Sequence, residues 1–440
     1  MVTEPGFRHD GPGTGADTWS GLLADRAVPS LDLGDATRRV VVVGAHPDDE
    51  SLGASGLMHL AAGAGWDVEV VCVTAGEGSH PRSPTVDPRR LATIRRAELD
   101  SAVRSVARYA SIACLDLPDG SVGNHVEEVV DQLVATIGVD GSHTLLCAPW
   151  RADGHPDHEA VGRAAAIAAA RTDARLLQYP VWLWHWGSEH DLPWSHTRAL
   201  PLRPEGRGLK RTAIAAHRSQ VAPLSAEPGD EVLLTAAMLA HFDRDFEVFV
   251  EEDVAAVDDV LERVHCERPD PWSIDSAYER RKRAVTLACL PDEHYPTALE
   301  VGCSIGALAV DLARRVDRLL ALDASPTAVD AARERTKRLG HVDVRLARVP
   351  SEWPEGSFDL VLISEVGYFL SPRQLDQVVA LALASLSAEG HLLLCHWRHQ
   401  PVGWPLAGPA VHEAFLAAGA RVVVEHHEDD FLLHVLARST

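Results

Sequence analysis

The sequence lacks a basic excess. Of its 440 residues, 41 are lysine or arginine and 64 are aspartate or glutamate, which leaves a formal charge of -23. Nucleic acids and anionic membranes bind basic surfaces, so this balance disfavours both as partners. No window approaches the roughly 20 apolar residues of a membrane span. Residues 1–20 carry neither the basic start nor the apolar core of a secretory signal. We therefore expect a soluble cytoplasmic enzyme.

The sequence also lacks CxxC pairs, and it has no fixed-period repeat. Its seven cysteines are odd in number, widely spaced and mostly placed in apolar runs such as "VVCVT" and "LLCAP". This pattern is typical of buried free thiols in a reducing compartment.

Strand and helix patterns alternate twice along the chain. The first series begins at Arg38, with strand-like runs "RRVVVVGA", "WDVEVVCVTAG", "SIACLDLPDG" and "SHTLLCAPW" separated by helical segments. The second begins at "TALEVGCSIG". Such alternation predicts parallel sheets covered by helices. The expected fold class is α/β, with two Rossmann-like doubly wound domains in tandem: a flexible arm at 1–35, then domains at 36–265 and 266–440.

Two segments allow more than one interpretation. "YPVWLWHWGSEHDLPW", which starts at Tyr179, carries four tryptophans, and either packing of an irregular extension or an aromatic wall for a sugar would explain them. "EHHEDD" near the C-terminus, together with His412 and His434, could form a further metal site, but a solvated acidic edge is favoured.

Clusters of histidine and aspartate follow two strands of the first series. "AHPDDE" follows the first strand and "DGHPDH" follows the fourth, and the carboxyl ends of parallel strands share one edge of a sheet. The pooled side chains are His46, Asp48, Asp49, His155, Asp157 and His158. Two histidines and one carboxylate suit Zn²⁺ or Fe²⁺, and a cation would offset the repulsion between adjacent aspartates. One aspartate of the pair can ligate while the other serves as a general base.

These motifs resemble those of the PIG-L (LmbE-like) deacetylases, metal-dependent hydrolases of N-acetylated amino sugars. "IRRAEL", "LPDG" and "LKRTAIAAHRSQ" support the resemblance, which covers about residues 36–255. It implies His46, Asp49 and His158 as metal ligands and Asp48 as the general base on water. It also implies that His155, tuned by Asp157, stabilises the oxyanion and protonates the leaving amine. Arg95 and Asp119 would contact sugar hydroxyls.

The second series opens on a glycine turn. "ALEVGCSIG" is an apolar strand with an acidic residue at its end, and Asp323 ends the next strand. This layout suits a nucleoside cofactor, with glycines for close approach and a carboxylate for ribose hydroxyls. Ser304 stands where a third glycine is usual, and no P-loop lysine follows.

The block "VPSEWPEGSFDLVLISEVGYFL" has the layout of class I S-adenosylmethionine methyltransferases. With "DPWSIDSAYERRK" and "CHWRH", residues 267–440 resemble the NodS N-methyltransferases, which methylate the free amine of deacetylated glucosamine-based oligosaccharides. The resemblance implies contacts to the cofactor from Glu300, Gly302, Gly306 and Asp323, to its adenine from Arg348 and Val349, and to its methionine part from Tyr278 and Lys282. Glu365, Tyr368 and His396 would line the acceptor side, and Glu365 or His396 could take the leaving proton.

The two resemblances imply matched chemistry, because one domain would free an amine and the other would methylate it. The hypothesis is a bifunctional enzyme that acts on a small molecule or glycan bearing an N-acetylamino sugar. Two alternatives remain. The C-terminal domain could be an independent O- or small-molecule N-methyltransferase, or one domain could be a non-catalytic binding module. A homo-oligomer is compatible with the sequence.

Overall fold

The computed structural model describes residues 13–251 and 260–438. The chain forms two compact units, Met1–Val257 and Asp258–Thr440. Each unit is built on one seven-stranded sheet with flanking helices. No helix in the described part of the chain combines the length and the apolar character that crossing a membrane requires. The expected fold class, two α/β domains in tandem, is confirmed.

The first unit has a mainly parallel sheet. Its strands are β1 (Arg39–Gly44), β2 (Asp67–Thr74), β3 (Ser111–Leu117), β4 (Thr144–Pro149), β5 (Arg175–Tyr179), β6 (Thr197–Pro201) and β7 (Phe246–Val250). They lie in the order β3-β2-β1-β4-β5-β7-β6. Strands β1 to β5 are parallel, whereas β7 pairs antiparallel with β5 and β6. The order reverses between β1 and β4, which is where doubly wound sheets bind ligands.

Helices cover both faces of this sheet. They are α1 (Ala16–Asp25), α2 (Asp49–Gly63), α3 (Pro88–Val106), α4 (Val126–Ile137), α5 (Pro156–Thr172), α6 (Leu183–Trp186), α7 (Pro204–Ala216), α8 (Arg218–Val221) and α9 (Ala236–Leu239). In β1, Val40 and Val42 belong to one apolar core, and Val41 and Val43 belong to the other. This alternation explains why β1 is a continuous valine run, since both of its faces are buried.

The expectation of a flexible arm at 1–35 is wrong for the part that the structure describes. Helix α1 buries Trp19 and Leu23, and the Trp19 indole donates a 2.8 Å hydrogen bond to the backbone carbonyl of Trp184. The apolar residues of α1 recur at a helical spacing, which the abundant glycine and aspartate around them obscured. Residues 1–12 of the predicted arm lie outside the described residues.

The second unit repeats this architecture with the same strand order and the same kind of antiparallel edge. Its strands are β8 (Tyr295–Val301), β9 (Val316–Asp323), β10 (Val342–Leu346), β11 (Phe358–Ser364), β12 (Leu386–Trp397), β13 (Arg421–His427) and β14 (Phe431–Ala437). They lie in the order β10-β9-β8-β11-β12-β14-β13, with β14 antiparallel to β12 and β13. Its helices are α10 (Val260–Glu267), α11 (Ala277–Ala288), α12 (Ala307–Leu312), α13 (Pro326–Thr336), α14 (Pro372–Ser385) and α15 (Gly408–Ala417). Here the strand order reverses between β8 and β11.

The predicted boundary between residues 265 and 266 needs correction. It falls inside α10, and this helix belongs to the second unit. The Glu262 carboxylate of α10 accepts hydrogen bonds from the hydroxyls of Ser325 (2.5 Å) and Thr327 (2.7 Å) at the start of α13. These long-range contacts, which composition cannot reveal, place the boundary before α10.

Candidate metal centre and cofactor cleft

The carboxyl ends of β1 and β4 bring together one carboxylate and two imidazoles. His158 Nε2 lies 3.2 Å from Asp49 Oδ1 and 3.3 Å from His46 Nδ1. His46 Nδ1 lies 3.7 Å from Asp49 Oδ2. Asp49 is the first residue of α2, and His158 is in the first turn of α5. The three side chains that the motifs predicted as ligands therefore converge.

This donor set fits a tetrahedral cation. Ligand atoms about 2.0–2.1 Å from Zn²⁺ are about 3.3–3.4 Å apart at tetrahedral angles, close to the separations from His158 Nε2. The far nitrogens of both rings face carboxylates: His158 Nδ1 lies 2.8 Å from Asp153, and His46 Nε2 lies 3.1 Å from Asp119 and 3.3 Å from Asp157. Carboxylates at these positions direct the lone pairs of the near nitrogens toward a metal.

Charges around the two rings favour a positive species at this point. Burial lowers the pKa of His158, but Asp49 and Asp153 outweigh it and raise the value to about 9. The pKa of His46 is likewise raised, because hydrogen bonds to Asp119, Asp157 and Asp49 outweigh burial. The pocket thus attracts either a proton or a metal cation.

Asp153 is a site residue that the sequence reasoning did not assign. It is fully buried, and besides His158 its carboxylate accepts the backbone amides of Val181 (2.8 Å), Trp182 (2.9 Å) and Leu183 (3.0 Å). It stands in the quoted "DGHPDH" motif, but its backbone partners are about 30 residues away. The motif therefore contained the residue, but it did not indicate the distant amides that bind its carboxylate.

Asp48 lies in the cavity beside the donor set. Its backbone has a left-handed φ of 136°, and its amide donates to Glu50 Oε2 at 3.1 Å. Burial, helped by the charge of Asp49, raises the pKa of Asp48 to about 7. A carboxylate with that pKa suits general base catalysis near neutral pH.

His155 also lines the cavity, and its tautomer follows from its surroundings. The backbone amide of Asp157 donates to His155 Nδ1 at 3.2 Å, so the ring proton of the neutral imidazole is on Nε2. Burial, together with the charges of His158 and His46, lowers the pKa of His155 to about 2. His155 is thus a neutral hydrogen-bond donor.

The predicted role of Asp157 in tuning His155 stays a prediction, and the structure adds a contact from Asp157 to His46. Its carboxylate accepts the amides of Gly120 (2.8 Å) and Val122 (3.1 Å) and lies against His46 Nε2. The backbone amide of Asp157 donates to His155 Nδ1, and a carboxylate oxygen of Asp157 lies within 4.8 Å of a His155 ring nitrogen. Asp157 therefore orients a predicted metal ligand.

A cavity of about 240 Å³ opens in front of the donor set, lined in part by Arg95, Asp119, His155, Trp182 and Gln220. Arg95 donates to Gly76 O (2.7 Å) and Ser79 Oγ (2.9 Å), and Asp119 accepts the Gly78 amide (2.8 Å) besides facing His46. Both predicted sugar-binding residues thus also support the pocket wall.

The tryptophans of this segment divide between the core and the cavity. Trp182 lines the cavity, whereas Trp184 packs edge-to-face on Trp19 in the core, with ring centroids 5.0 Å apart. Trp186 donates its indole N–H to the carbonyl of Asp153 at 2.6 Å. Packing thus explains part of the segment, and the aromatic wall for a sugar stays a prediction that rests on Trp182.

The second unit presents a cofactor-type cleft where β8 ends. Gly302 and Gly306 have left-handed φ values of 75° and 78°. A Cβ on Gly302 would lie 1.9 Å from a Val366 methyl, so only glycine fits there. Asp323 accepts the amides of Ser304 (2.7 Å) and Ser325 (2.9 Å), which links the glycine turn to the end of β9.

Several polar atoms of this cleft are buried without a protein partner. Among the described residues, Glu300 Oε2, Ser304 Oγ and Tyr278 Oη have no hydrogen bond. Burial, together with the charge of Asp323, raises the pKa of Glu300 to about 8. Buried orphan groups of this kind fit a ligand that carries hydroxyl and amino groups. Arg348 and Val349 follow β10, whose last residue, Leu346, pairs with Asp323; the adenine contact predicted for them stays a prediction.

The carboxylate of Glu365 is occupied by hydrogen bonds from its neighbours, so it has little capacity to act as a base. Its carboxylate accepts Lys282 Nζ (2.7 Å), the Trp397 amide (2.9 Å) and the Tyr368 hydroxyl. Burial opposes its ionisation, but the charge of Lys282 prevails, and the pKa of Glu365 is lowered. Lys282 bridges Glu365 and Glu279; its predicted contact with the methionine part of the cofactor stays a prediction.

His396 does not line an acceptor pocket. It is fully buried, its Nε2 accepts the Gly367 amide at 3.1 Å, and its Nδ1 lies 3.0 Å from His412 Nε2. Burial lowers its pKa to about 4. The prediction that His396 takes a proton from the substrate is therefore wrong, because both ring nitrogens are engaged inside the protein.

The favoured interpretation of the C-terminal histidines, a solvated acidic edge, holds for "EHHEDD", whose residues are exposed or half-buried, but not for the other two histidines. His412 and His434 are buried rather than part of a solvated edge. Glu425, His427 and His434 offer ligand atoms within 4.8 Å of one another.

Both units thus have the architecture of doubly wound α/β enzymes. The first has a metal-type donor set at its switch point. The second has a glycine turn and two carboxylates there. Residues 41–169 match the family model of the GlcNAc-PI de-N-acetylases, PIG-L. Residues 253–400 match the family model of nodulation protein S, NodS. The chain joins a PIG-L domain to a NodS domain, as the motifs predicted.

Named relatives exist for each half. Nodulation protein S of Rhizobium tropici is 34% identical over 127 residues, which make up 28% of this chain and 53% of that protein. The 1D-myo-inositol 2-acetamido-2-deoxy-alpha-D-glucopyranoside deacetylase of Kineococcus radiotolerans is 28% identical over 234 residues, 45% of this chain and 62% of that protein. The chain thus spans about half to three fifths of the length of these curated relatives.

A solved structure also resembles the second unit. The N-methyltransferase NodS from Bradyrhizobium japonicum WM9, in complex with S-adenosyl-L-homocysteine, is 24% identical. The match covers 41% of this chain and 97% of that one, with a TM-score of 0.38.

Proposed function

We propose that the first unit removes the acetyl group from an N-acetylated amino sugar and that the second methylates the freed amine with S-adenosylmethionine. The observation that carries the proposal is the donor set of His46, Asp49 and His158 beside Asp48, on one chain with a NodS domain. A hydrolase that frees an amine and a transferase that consumes one are consecutive steps.

In the first step, Asp48 accepts a proton from water as the water oxygen bonds to the amide carbon. The neutral His155 donates a hydrogen bond from Nε2 to the developing oxyanion. Asp48 then passes the proton that it accepted to the leaving nitrogen, so the carbon–nitrogen bond breaks to give an amine and acetic acid, which ionises to acetate. A Zn²⁺ ion held by His46, Asp49 and His158 would supply Lewis acid activation of water and carbonyl. Asp153 and Asp157 hold the two histidines in place.

In the second step, the residues of the cleft mainly bind and orient. Glu300 and Asp323 place carboxylates where hydroxyl and amino groups of the cofactor need acceptors. S-adenosylmethionine held there would supply the methyl group to the amine lone pair, with S-adenosylhomocysteine as the leaving group, and the methylated ammonium would lose its proton to solvent. Glu365 is held ionised by Lys282, so this unit contributes positioning rather than a strong base.

The test uses the full chain with Zn²⁺, S-adenosylmethionine and a panel of N-acetylamino sugars, analysed by mass spectrometry. We expect one acetyl group to be replaced by hydrogen and then one amine hydrogen by methyl. Removing the metal with a chelator should stop deacetylation but not methylation of added glucosamine. Methylation of the intact acetylated sugar would contradict the proposed order.

An Asp48→Asn variant separates this proposal from two independent activities. It should fail to deacetylate yet methylate glucosamine as the wild type does. If glucosamine and its oligosaccharides are not methylated by either protein while another small molecule is, the two units act independently.

We also propose the cytoplasm as the compartment. All seven cysteines are free thiols, which supports a reducing environment.

A further inference from the structure

Three buried histidines form a line through the second unit. His396 is on β12, His412 on α15 and His434 on β14. His396 Nδ1 lies 3.0 Å from His412 Nε2, and His412 Nδ1 lies 2.7 Å from His434 Nδ1. Their exposed fractions are 0%, 1% and 6%. The three imidazoles therefore hydrogen-bond to one another within an apolar core.

The fold explains this alignment. Leu394 pairs with His434 across β12 and β14, and His396 lies two residues beyond Leu394, so both histidines project from one face of the sheet. Helix α15 covers that face and begins at Gly408, where a Cβ would lie 2.1 Å from the Trp397 carbonyl. This close approach brings His412 between the two strand residues.

The chain of hydrogen bonds has one direction. The Gly367 amide is a permanent donor, and it points at His396 Nε2 at 3.1 Å. A neutral His396 must then carry its proton on Nδ1 and donate to His412 Nε2. By the same logic His412 donates from Nδ1 to His434 Nδ1, which leaves the His434 proton on Nε2.

The two ends of the chain support this direction. His434 Nε2 lies 3.7 Å from the Glu425 carboxylate, an acceptor at the outer end. Burial keeps the rings neutral, since it lowers the pKa of His396 to about 4 and also lowers those of His412 and His434. Because His434 Nε2 keeps its proton, it has no lone pair for a cation shared with Glu425 and His427.

The inner end of the chain holds the turn beside the proposed acceptor site. Gly367 begins a short 3₁₀ turn, Gly367–Phe369, and a Cβ on Gly367 would lie 2.3 Å from a Val411 methyl of α15. The next residue, Tyr368, donates its hydroxyl to Glu365, which in turn binds Lys282. Any shift of the Gly367 amide would therefore move Tyr368 relative to Glu365.

We propose that His396, His412 and His434 form a one-directional hydrogen-bond chain that fixes the Gly367–Phe369 turn and so positions Tyr368 and Glu365 for methyl transfer. The three histidines are positioning residues, because they touch neither substrate nor cofactor. The positioning role rests on the proposed methyltransferase function, whereas the direction of the chain does not.

Nitrogen-15 NMR of the full chain, labelled at histidine, tests the direction. We expect the Nδ1-protonated tautomer for His396 and His412 and the Nε2-protonated tautomer for His434. Single histidine variants assign the three signals. A His396 ring protonated on Nε2, or a His434 ring protonated on Nδ1, would overturn the proposed direction.

Two variants at His434 test the positioning role. In His434→Asn the side-chain oxygen can replace Nδ1 as the acceptor, whereas His434→Leu leaves the His412 N–H buried without a partner. We expect His434→Leu to lower kcat for glucosamine methylation about tenfold, because a buried donor without an acceptor costs a free energy of that order. The KM for S-adenosylmethionine should change little. His434→Asn should retain most of the activity.

Equal losses in both variants, in proportion to their loss of thermal stability, would show a purely structural role and overturn the proposal. If the wild type methylates neither glucosamine nor its oligosaccharides, the proposed function fails and the positioning role fails with it. The tautomer pattern still decides the hydrogen-bond chain in that case.

Discussion

The Asp153→Asn substitution tests whether the carboxylate behind His158 sustains the proposed metal centre. Asp153 gives one oxygen to the amides of Val181 and Leu183 and the other to the Trp182 amide and His158 Nδ1. Asparagine keeps only one of these oxygens and removes the charge. In either orientation of the asparagine side chain, its NH₂ group faces hydrogen-bond donors and cannot accept from them.

Loss of such a partner typically weakens metal affinity 10–100-fold, which corresponds to about 1.4–2.7 kcal/mol. Each buried donor that loses its acceptor costs a further 1–3 kcal/mol or so of folding stability. We therefore expect the variant to bind Zn²⁺ about 10–100-fold more weakly. It should also unfold at a lower temperature, even with a chelator present.

Competition with a chromophoric chelator measures the Zn²⁺ affinity, and thermal denaturation in excess chelator measures the folding term separately. The matched control is Asp140→Asn, the same substitution on an exposed aspartate that bonds only to Ser142. Unchanged Zn²⁺ affinity in a folded Asp153→Asn protein would refute the role assigned to this carboxylate.

Three further substitutions test the second unit and the N-terminal helix. Gly302→Ala should abolish calorimetric binding of S-adenosylhomocysteine, since its Cβ would meet Val366 at 1.9 Å, while Gly340→Ala, in open space, should not. Glu300 keeps its proton in the folded chain up to about pH 8, whereas the unfolded chain loses it near pH 4.5, so stability falls between these values. Glu300→Gln should therefore stabilise the cofactor-free protein against urea near pH 8 but not near pH 4, and equal effects at both would contradict the shift. Trp19→Ala should cost about 3–5 kcal/mol in urea denaturation, and a loss below about 0.5 kcal/mol would indicate a loosely packed arm.

The sequence was most informative where local pattern and chemistry coincide. The valine run of β1 and the motifs after β1 and β4 predicted a parallel sheet with His46, Asp49 and His158 at one edge. Parallel strands oblige their carboxyl ends to meet, so the fold class and the shared cluster of histidines and aspartates followed together. The choice of His46, Asp49 and His158 within that cluster came from the resemblance to the PIG-L deacetylases. The glycine turn and Asp323 predicted the second cleft for the same reason.

Sequence reasoning failed where a role depends on partners distant in the chain. The role of Asp157 beside the neighbouring His155 was predicted, but its contact with His46, 3.3 Å from Nε2, was not. His396 was placed beside the substrate by the resemblance to NodS, yet its ring is buried against His412 of α15. Trp19 was placed in a flexible arm because no local pattern reveals Trp184 as its partner.

The sequence by itself determined the class of fold and the resemblance of each half to a family, and it predicted the metal ligands, because strand periodicity and short motifs encode these locally. The tertiary structure alone decided which carboxylate lies against which histidine and which side chains are buried, and it is the basis for the direction proposed for the line of His396, His412 and His434. Those properties depend on hydrogen-bond donors and acceptors that folding brings together from separate strands and helices, and their pairing is not written in any one segment.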